Sequence, residues 1–437
     1  MGRRRKSSSL NLFMNGEAVG KLNRLSSGRL ELLYDDEWMN SAFGRSISLS
    51  LPIVLKRHTG DVVENYFDNL LPDSMPIRNR IQARFGIAKG DSFDLLAVIG
   101  KDCIGALQML PEGVETDDFH RIVAEPLTDS SIAEILKNYR SMPLGMNDED
   151  DFRISIAGAQ EKTAFLSYKG QWCRPSGSTP TSHIFKLPIG RIEHNNIDLS
   201  DSVENEWLCH LLLKEFGLPV ANAEIKEFAD MKALVVERFD RKWSEDGSWL
   251  FRLPQEDMCQ AMGISPAIKY ESSGGAGIES IMKLLLGSAN SIEDRRIFMK
   301  AGFVFWLLGA TDGHAKNFSI FLEQGGRFRL TPLYDVMSVY PLVAKKELSL
   351  QNVKMAMSVS GKSKHYRWAE IQQRHWLATA KLCSFPEKEI KTIMDEVIGS
   401  VDKAVSNVEA LLPPFFPDSV SEPIFSMLNG QVKTFLV

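Results

Sequence analysis

The sequence predicts an α+β fold with a β-rich start, a second strand-rich region in the middle and a mainly helical second half. Three observations carry this. Short apolar or alternating runs separated by turn residues fill the first hundred positions, and a further set resumes at Phe152. Beyond Gln255 helical spacing dominates, interrupted only by FSIFLE and RFRLTPLYD. A chain of 437 residues has room for two or three domains, and its 44% hydrophobic and 24% charged residues are ordinary for a soluble globular protein.

In chain order, LNLFMNGEAVGKL carries an Asn15-Gly16 hairpin signal, and ISLSLPI alternates Ile47, Leu49 and Leu51 on one face, as a half-buried strand does. Helical stretches begin near Met75. After Leu110 the chain becomes polar and acidic, through PEGVETDDF to MNDEDDF, with an amphipathic helix expected near Ile132 to Tyr139. FRISIAGAQEKTAFLSYKGQW suggests two strands around a short loop. SHIFKLP, a helix from about Val203 to Phe216 and the strand ALVVERF then make a small mixed sheet with one helix. IFMKAGFVFWLL, residues 297–308, is too short for the roughly 20 residues of a membrane span and is broken by Lys300, so it reads as a buried helix, with Ser291 and Asp294 supplying its capping start. The expected divisions are 1–110, a β-rich domain; 111–150, a linker with a helix; 151–255, a mixed lobe; and 256–437, a helical lobe.

Several function classes are disfavoured. The net charge of −5 argues against a surface basic all over, so contact with nucleic acid has to be local or made through a partner. MGRRRKSSS is followed by no apolar segment and Lys6 breaks the myristoylation pattern, so a flexible terminus is expected there, not a secretory signal or lipid anchor. Cys103, Cys173, Cys209, Cys259 and Cys383 are odd in number and scattered, which fits a reduced cytoplasmic setting, and the eight histidines show no zinc-site spacing.

The chemistry concentrates after the buried helix, in GATDGHAKNFSI. Asp312 and Asn317 are five apart, the spacing of the Asp and Asn in a kinase catalytic loop, where the first orients the nucleophilic hydroxyl and the second binds Mg²⁺. FSIFLE, a turn at Gln324-Gly325-Gly326 and RFRLTPLY then return a second carboxylate, Asp335, toward the first. Phosphoryl transfer needs such a group because a metal has to be held against the phosphates. A lysine on an apolar strand is available in Lys186, followed by a helix bearing Glu204 and Glu206, of which Glu206 is the candidate to orient it. SIAGAQEK places Gly158 and Lys162 where backbone N–H groups meet phosphate oxygens, although by spacing alone it reads as a common turn. SSGGAGIES, residues 272–280, lacks a GK[ST] ending and reads as a surface loop.

With these segments in order, the chain resembles the HipA family of toxin serine/threonine kinases. FDNLLPDS, FRISIAGAQEKTA, SHIFKLP, LPQEDMCQ, GATDGHAKNFS and LTPLYD carry the resemblance. It implies a protein-kinase-like two-lobed fold, in which 151–255 is the nucleotide-binding lobe and 256–437 the catalytic lobe, using ATP and Mg²⁺. By the same resemblance Asp312 is the catalytic base and Asn317 and Asp335 hold the metal. Lys186 and Lys162 contact phosphates, and the loop Ala157, Gly158, Ala159, Gln160, Glu161 and Lys162 covers them. Glu237, Arg238 and Phe239 form the hinge beside adenine, and His314, Lys316 and Tyr334 belong to the nucleotide site. Ser155 falls where family members autophosphorylate and switch themselves off. The implied partner is a HipB-type helix-turn-helix antitoxin, which binds operator DNA and represses with the kinase; the implied substrate is glutamate-tRNA ligase, whose phosphorylation halts translation and promotes dormancy. Residues 336–368 and the C-terminal tail match less closely. Lys381 is a candidate DNA contact, although solvated helix surface is its ordinary role. Two alternatives stand beside this reading: a metal-dependent hydrolase using Asp312, His314 and Asp335, and a non-catalytic corepressor.

Overall fold

The computed structural model describes residues 8–87, 89–114, 118–141, 154–155, 160–192 and 196–435. An antiparallel five-stranded sheet opens the chain, with strands in the order Arg57–Thr59, Leu30–Tyr34, Glu17–Arg24, Ser9–Met14 and Leu107–Pro111. The first hairpin turns at Asn15 (φ 45°) and Gly16 (φ 92°), two positive angles whose twist suits the strands they join. Helices Asp61–Asn69, Met75–Arg84 and Ser92–Ile99 pack on this sheet around Leu12, Leu22, Leu32, Phe67 and Phe93.

ISLSLPI is not a strand. Ser48 and Leu51 form an isolated bridge around a tight turn. There Ser50 Oγ donates to the Gln260 carbonyl (2.7 Å) and Leu49 N–H donates to Glu256 Oε1 (2.8 Å). Hydrogen bonds to a segment two hundred residues away override the local alternation, a competition that serine-rich backbone readily loses to turns.

A second antiparallel sheet has six strands, in the order Ala223–Phe228, Met231–Glu237, His183–Lys186, Lys162–Tyr168, Gln171–Pro175 and Ala124–Pro126. Helix Asp129–Ser141 lays Ile132, Ala133 and Leu136 against Phe165, Phe185 and Val235 of this sheet. The short strand Ile154–Ser155 does not join it. Instead it runs parallel to Asp102–Cys103 of the first region, with Ser155 opposite Cys103.

In the helical half, Ser291–Leu307, Gln373–Leu382, Glu387–Glu409 and Asp418–Phe435 share one core built on Phe303, Trp306, Trp376, Val397 and Val408. The start of Ser291–Leu307 differs from the expected cap. Asn290 precedes the first turn without a side-chain capping bond, and Asp294 is buried, accepting from Ser288 Oγ and from Leu330 N–H (2.9 Å). Asp294 therefore ties the helix to strand Phe328–Leu330, because a buried carboxylate gains more from two donors than an exposed cap does. At its other end Gly309 (φ 61°) takes the left-handed position, with Gly309 N–H bonded to the Trp306 carbonyl (3.1 Å) and Ala310 N–H to that of Phe305 (2.8 Å). A Cβ at Gly309 would come within 2.6 Å of the Tyr340 ring, so only glycine ends the helix here and launches the loop that follows. Among the described residues no helix is long and apolar enough to cross a membrane.

Candidate active site

Strand alternation sends Phe185 into the core beneath helix Asp129–Ser141 and Lys186 to the opposite face. There the Lys186 Nζ donates to Glu206 Oε1 at 2.6 Å and to Asp335 Oδ1 at 2.8 Å. Glu206 lies on helix Ser202–Glu215, almost wholly enclosed, whereas Glu204 faces elsewhere and pairs with Lys232. Burial works against the charge of Lys186, but the two carboxylates outweigh it and hold the ammonium above the ordinary lysine range. Burial likewise opposes ionisation of Asp335, yet Lys186 and Lys162 reverse it and keep this carboxyl well below the usual carboxylate range. For Glu206 burial prevails over Lys186, and its pKa is raised.

Lys162 stands directly across the sheet from Lys186. Burial, reinforced by the like charge of Lys186 and only partly offset by Asp335, lowers it to about 8. Two facing ammonium groups repel. The charges of Asp335 and Glu206 offset that repulsion.

Asp312 follows the Gly309 turn, with its side chain 63% exposed. The Asn317 Nδ2 donates to the Asp312 carbonyl (2.9 Å), as does His314 N–H (2.8 Å), so the five-residue spacing closes a compact loop. His314 is buried, and that burial, only partly opposed by the charge of Asp312, lowers its pKa. The Tyr270 hydroxyl donates to Asp312 Oδ1 at 2.6 Å. Strands Ser319–Leu322 and Phe328–Leu330 then return the chain to Asp335, whose φ of 63° is the left-handed region that a non-glycine residue occupies at a cost. Tyr334 donates to the Lys316 carbonyl (2.8 Å), pinning the two halves of the hairpin together.

One cleft between the second sheet and the helical half is lined by Gln160, Lys162, Lys186, Glu237, Arg238, Phe239, Asp312, His314, Lys316, Asn317, Tyr334 and Asp335. Of the other candidates, Glu206 sits behind Lys186 and Glu161 pairs with Arg80. Lys381 lies exposed at the end of helix Gln373–Leu382, in another part of the helical half. Ala157, Gly158 and Ala159 lie outside the described residues, and Ser155 is described only through its backbone pairing. The guanidinium of Arg238 is already engaged, bonded to Asp240 Oδ2 (2.8 Å), Thr181 Oγ1 (2.9 Å) and the Cys103 carbonyl (2.9 Å). Lys316 is also occupied, with Nζ 2.9 Å from Asn69 Oδ1 and 3.1 Å from Asp73 Oδ1.

Asn69, Asp73, Asp257 and Tyr270 were not singled out from sequence. Asn69 and Asp73 sit inside FDNLLPDS and Asp257 inside LPQEDMCQ, so the segments were visible, but nothing local shows that residues about two hundred positions apart meet. Asp257 caps helix Met258–Ala261 through Gln260 N–H (2.8 Å) and is raised by burial to about 6. Among the described residues no group of three or more His, Cys, Asp and Glu side chains is placed to hold a metal ion.

A sheet carrying a buried lysine–glutamate pair, set over a helical region whose Asp/Asn loop and returning aspartate face that lysine, is the architecture of a protein-kinase-like enzyme. The chain belongs to the HipA family of serine/threonine kinases: the HipA N-terminal domain matches residues 10–110 and the HipA-like C-terminal domain residues 154–405. It is 31% identical over 403 residues to "Putative kinase Y4mE" of Sinorhizobium fredii, covering 91% of each chain. It is 26% identical over 346 residues to "Serine/threonine-protein kinase toxin HipA" of Shewanella oneidensis, covering 76% of each. Its fold matches a chain of the Shewanella oneidensis toxin–antitoxin complex of HipA, HipB and operator DNA, with a TM-score of 0.81 at 23% identity, over 98% of this chain and 97% of that one.

Proposed function

We propose that this chain transfers the γ-phosphoryl group of ATP, with Mg²⁺, to serine or threonine hydroxyls, as the toxin of a toxin–antitoxin pair. The observation that carries the reading is the Lys186 ammonium bridging Glu206 and Asp335 at the mouth of the Asp312–Asn317 loop. The residues fit the cofactors. Asp335 is ionised, and the Asn317 amide is turned by its Nδ2 bond so that a carbonyl oxygen remains available; hard oxygen donors of this kind suit Mg²⁺. When bound, the ion would neutralise charge on the β- and γ-phosphates. Ile184, Val236 and Phe239 offer an apolar slot for adenine, where the N–H groups of Glu237 and Arg238 are already committed to the Asn222 and Ser182 carbonyls. Lys186 and Lys162 bind phosphate oxygens. Asp312 receives the proton of the attacking hydroxyl, with the buried His314 beside it.

Ser155 is the proposed autophosphorylation site. A phosphate there would bring about −1.5 to −2 of charge toward the lysines that hold ATP and compete for them. By family membership the partner is a HipB-type helix-turn-helix antitoxin, with operator DNA reached mainly through it, and glutamate-tRNA ligase is the substrate. The five described cysteines are all free and buried, which supports a reducing cytoplasm. A thermal-shift titration tests the nucleotide site: ATP with Mg²⁺ is expected to raise the melting temperature well beyond ATP or Mg²⁺ alone. A response to Mg²⁺ that ATP does not enlarge would remove the kinase reading.

A further inference from the structure

The stretch from Ser265 to Gly277 has no part in the chemistry so far, yet it is fastened at three consecutive residues. Lys269 Nζ is 2.9 Å from Asp73 Oδ2 in the first domain. Glu271 accepts from Ser358 N–H (2.6 Å), Ser358 Oγ (2.9 Å) and Lys364 Nζ (2.7 Å) of the hairpin Lys354–Arg367. Between these anchors, Tyr270 reaches Asp312 Oδ1 at 2.6 Å and sets its ring edge-on to His314, centroids 5.1 Å apart. The glycines of SSGGAG explain how the chain folds so tightly. Gly274 has a φ of 100°, a Cβ on Gly275 would lie 2.1 Å from the Ile268 carbonyl, and one on Gly277 would strike the Glu271 carboxylate at 2.2 Å. Glycine is required there to bring Lys269, Tyr270 and Glu271 to three different partners, not to cradle a phosphate.

The geometry points to Tyr270 as a positioning residue for phosphoryl transfer: its hydroxyl holds Oδ1 of Asp312, so that Oδ2 alone meets the acceptor hydroxyl. This rests on the kinase reading of Asp312. A carboxylate on a largely exposed side chain rotates freely unless one oxygen is fixed, and a base contributes only when it is within hydrogen-bond reach of the proton it takes. The second oxygen is 3.9 Å from His314 Nε2, too far to be held by it, and remains for the acceptor. The anchors on Lys269 and Glu271, one on each side of it, argue that the tyrosine is a fixed strut and not a gate that an arriving substrate displaces.

Tyr270→Phe keeps the ring against His314 and removes only the donor. Single-turnover autophosphorylation at saturating Mg²⁺-ATP, followed by intact mass, reads the chemical step, and an ATP titration of the same protein reads binding. The transfer rate is expected to fall about 10- to 100-fold, the usual weight of a hydrogen bond to a charged group, with ATP affinity and melting temperature unchanged. A rate equal to wild type, or a faster one as a gate would give, overturns the proposal, as does an equal loss of ATP affinity, which marks a merely structural tyrosine. Asp312→Asn in parallel separates the two levels: if it retains transfer, the assignment of the base itself is wrong.

Discussion

Asp335 shows why single side chains decide this site. Its carboxyl is held well below the usual carboxylate range by Lys186 and Lys162, its backbone is left-handed, and it accepts from Lys186 in the cleft. Asp335→Ala is expected to weaken ATP binding at least about tenfold when Mg²⁺ is present and to alter metal-free binding much less. Equal losses in the two titrations would make it a structural carboxylate. Lys162 gives the site a pH dependence. Its folded pKa is lowered to about 8 by burial, and bound phosphates would raise it again. ATP affinity should therefore be full below pH 8 and decline as pH rises through 8, with proton uptake on binding above that value, measured by calorimetry in buffers of different ionisation enthalpy. A flat affinity between about pH 7 and pH 10 would mean that Lys162 does not face the phosphates. Spacing brought out Asp312 and Asn317, which lie in a polar cluster after an apolar helix, and Lys186 stood out as a lysine on an apolar strand. Choosing Glu206 over Glu204 needs the orientation of their helix, since residues two apart do not share a face.

Elements were legible where a periodic pattern was also the structure's own, as in the Asn15-Gly16 hairpin, the apolar helix Ser291–Leu307 and the helix Asp129–Ser141. They were misread where a long-range bond prevailed. The ISLSLPI run alternates like a strand, but Glu256 and Gln260 capture its backbone and serines. Asp294 looks like a capping residue and is instead a buried bridge to Leu330. Asp294→Ala should leave the Leu330 N–H without its acceptor and the Ser288 hydroxyl with only its longer bond to the Phe328 carbonyl (3.2 Å), costing about 2 to 4 kcal/mol. Urea denaturation would measure this, and a loss of less than about 0.5 kcal/mol, as for an exposed cap of little weight, would contradict the bridging role.

At the scale of the whole molecule, the first domain is part of the catalytic unit. Asp102 lies among Arg238, Arg241 and Arg252, with Arg241 Nη2 at 2.9 Å, and Asn69 and Asp73 hold Lys316. Burial opposes the charge on Asp102, but the three arginines hold its carboxyl far below the usual range. A depressed carboxylate contributes stability that is present above the unfolded pKa of about 4 and is lost as pH falls below it. Asp102→Ala strands buried arginines and should destabilise the protein by about 3 to 5 kcal/mol, lowering the melting temperature at pH 7. A melting temperature within a degree or so of wild type would show that the cluster is not what joins the domains. The pairing in this network could not be read from sequence, because its partners lie more than a hundred positions apart.

The central claim is that Lys186, Asp335, Asn317 and Asp312 transfer a phosphoryl group from ATP, and intact-mass analysis with peptide mapping after incubation in Mg²⁺-ATP tests it most directly. The wild-type chain is expected to gain one phosphate at Ser155 and Asp312→Asn to gain none, with its fold and ATP binding retained. Equal incorporation in both proteins, or none in the wild type freshly freed of phosphate, would contradict the account.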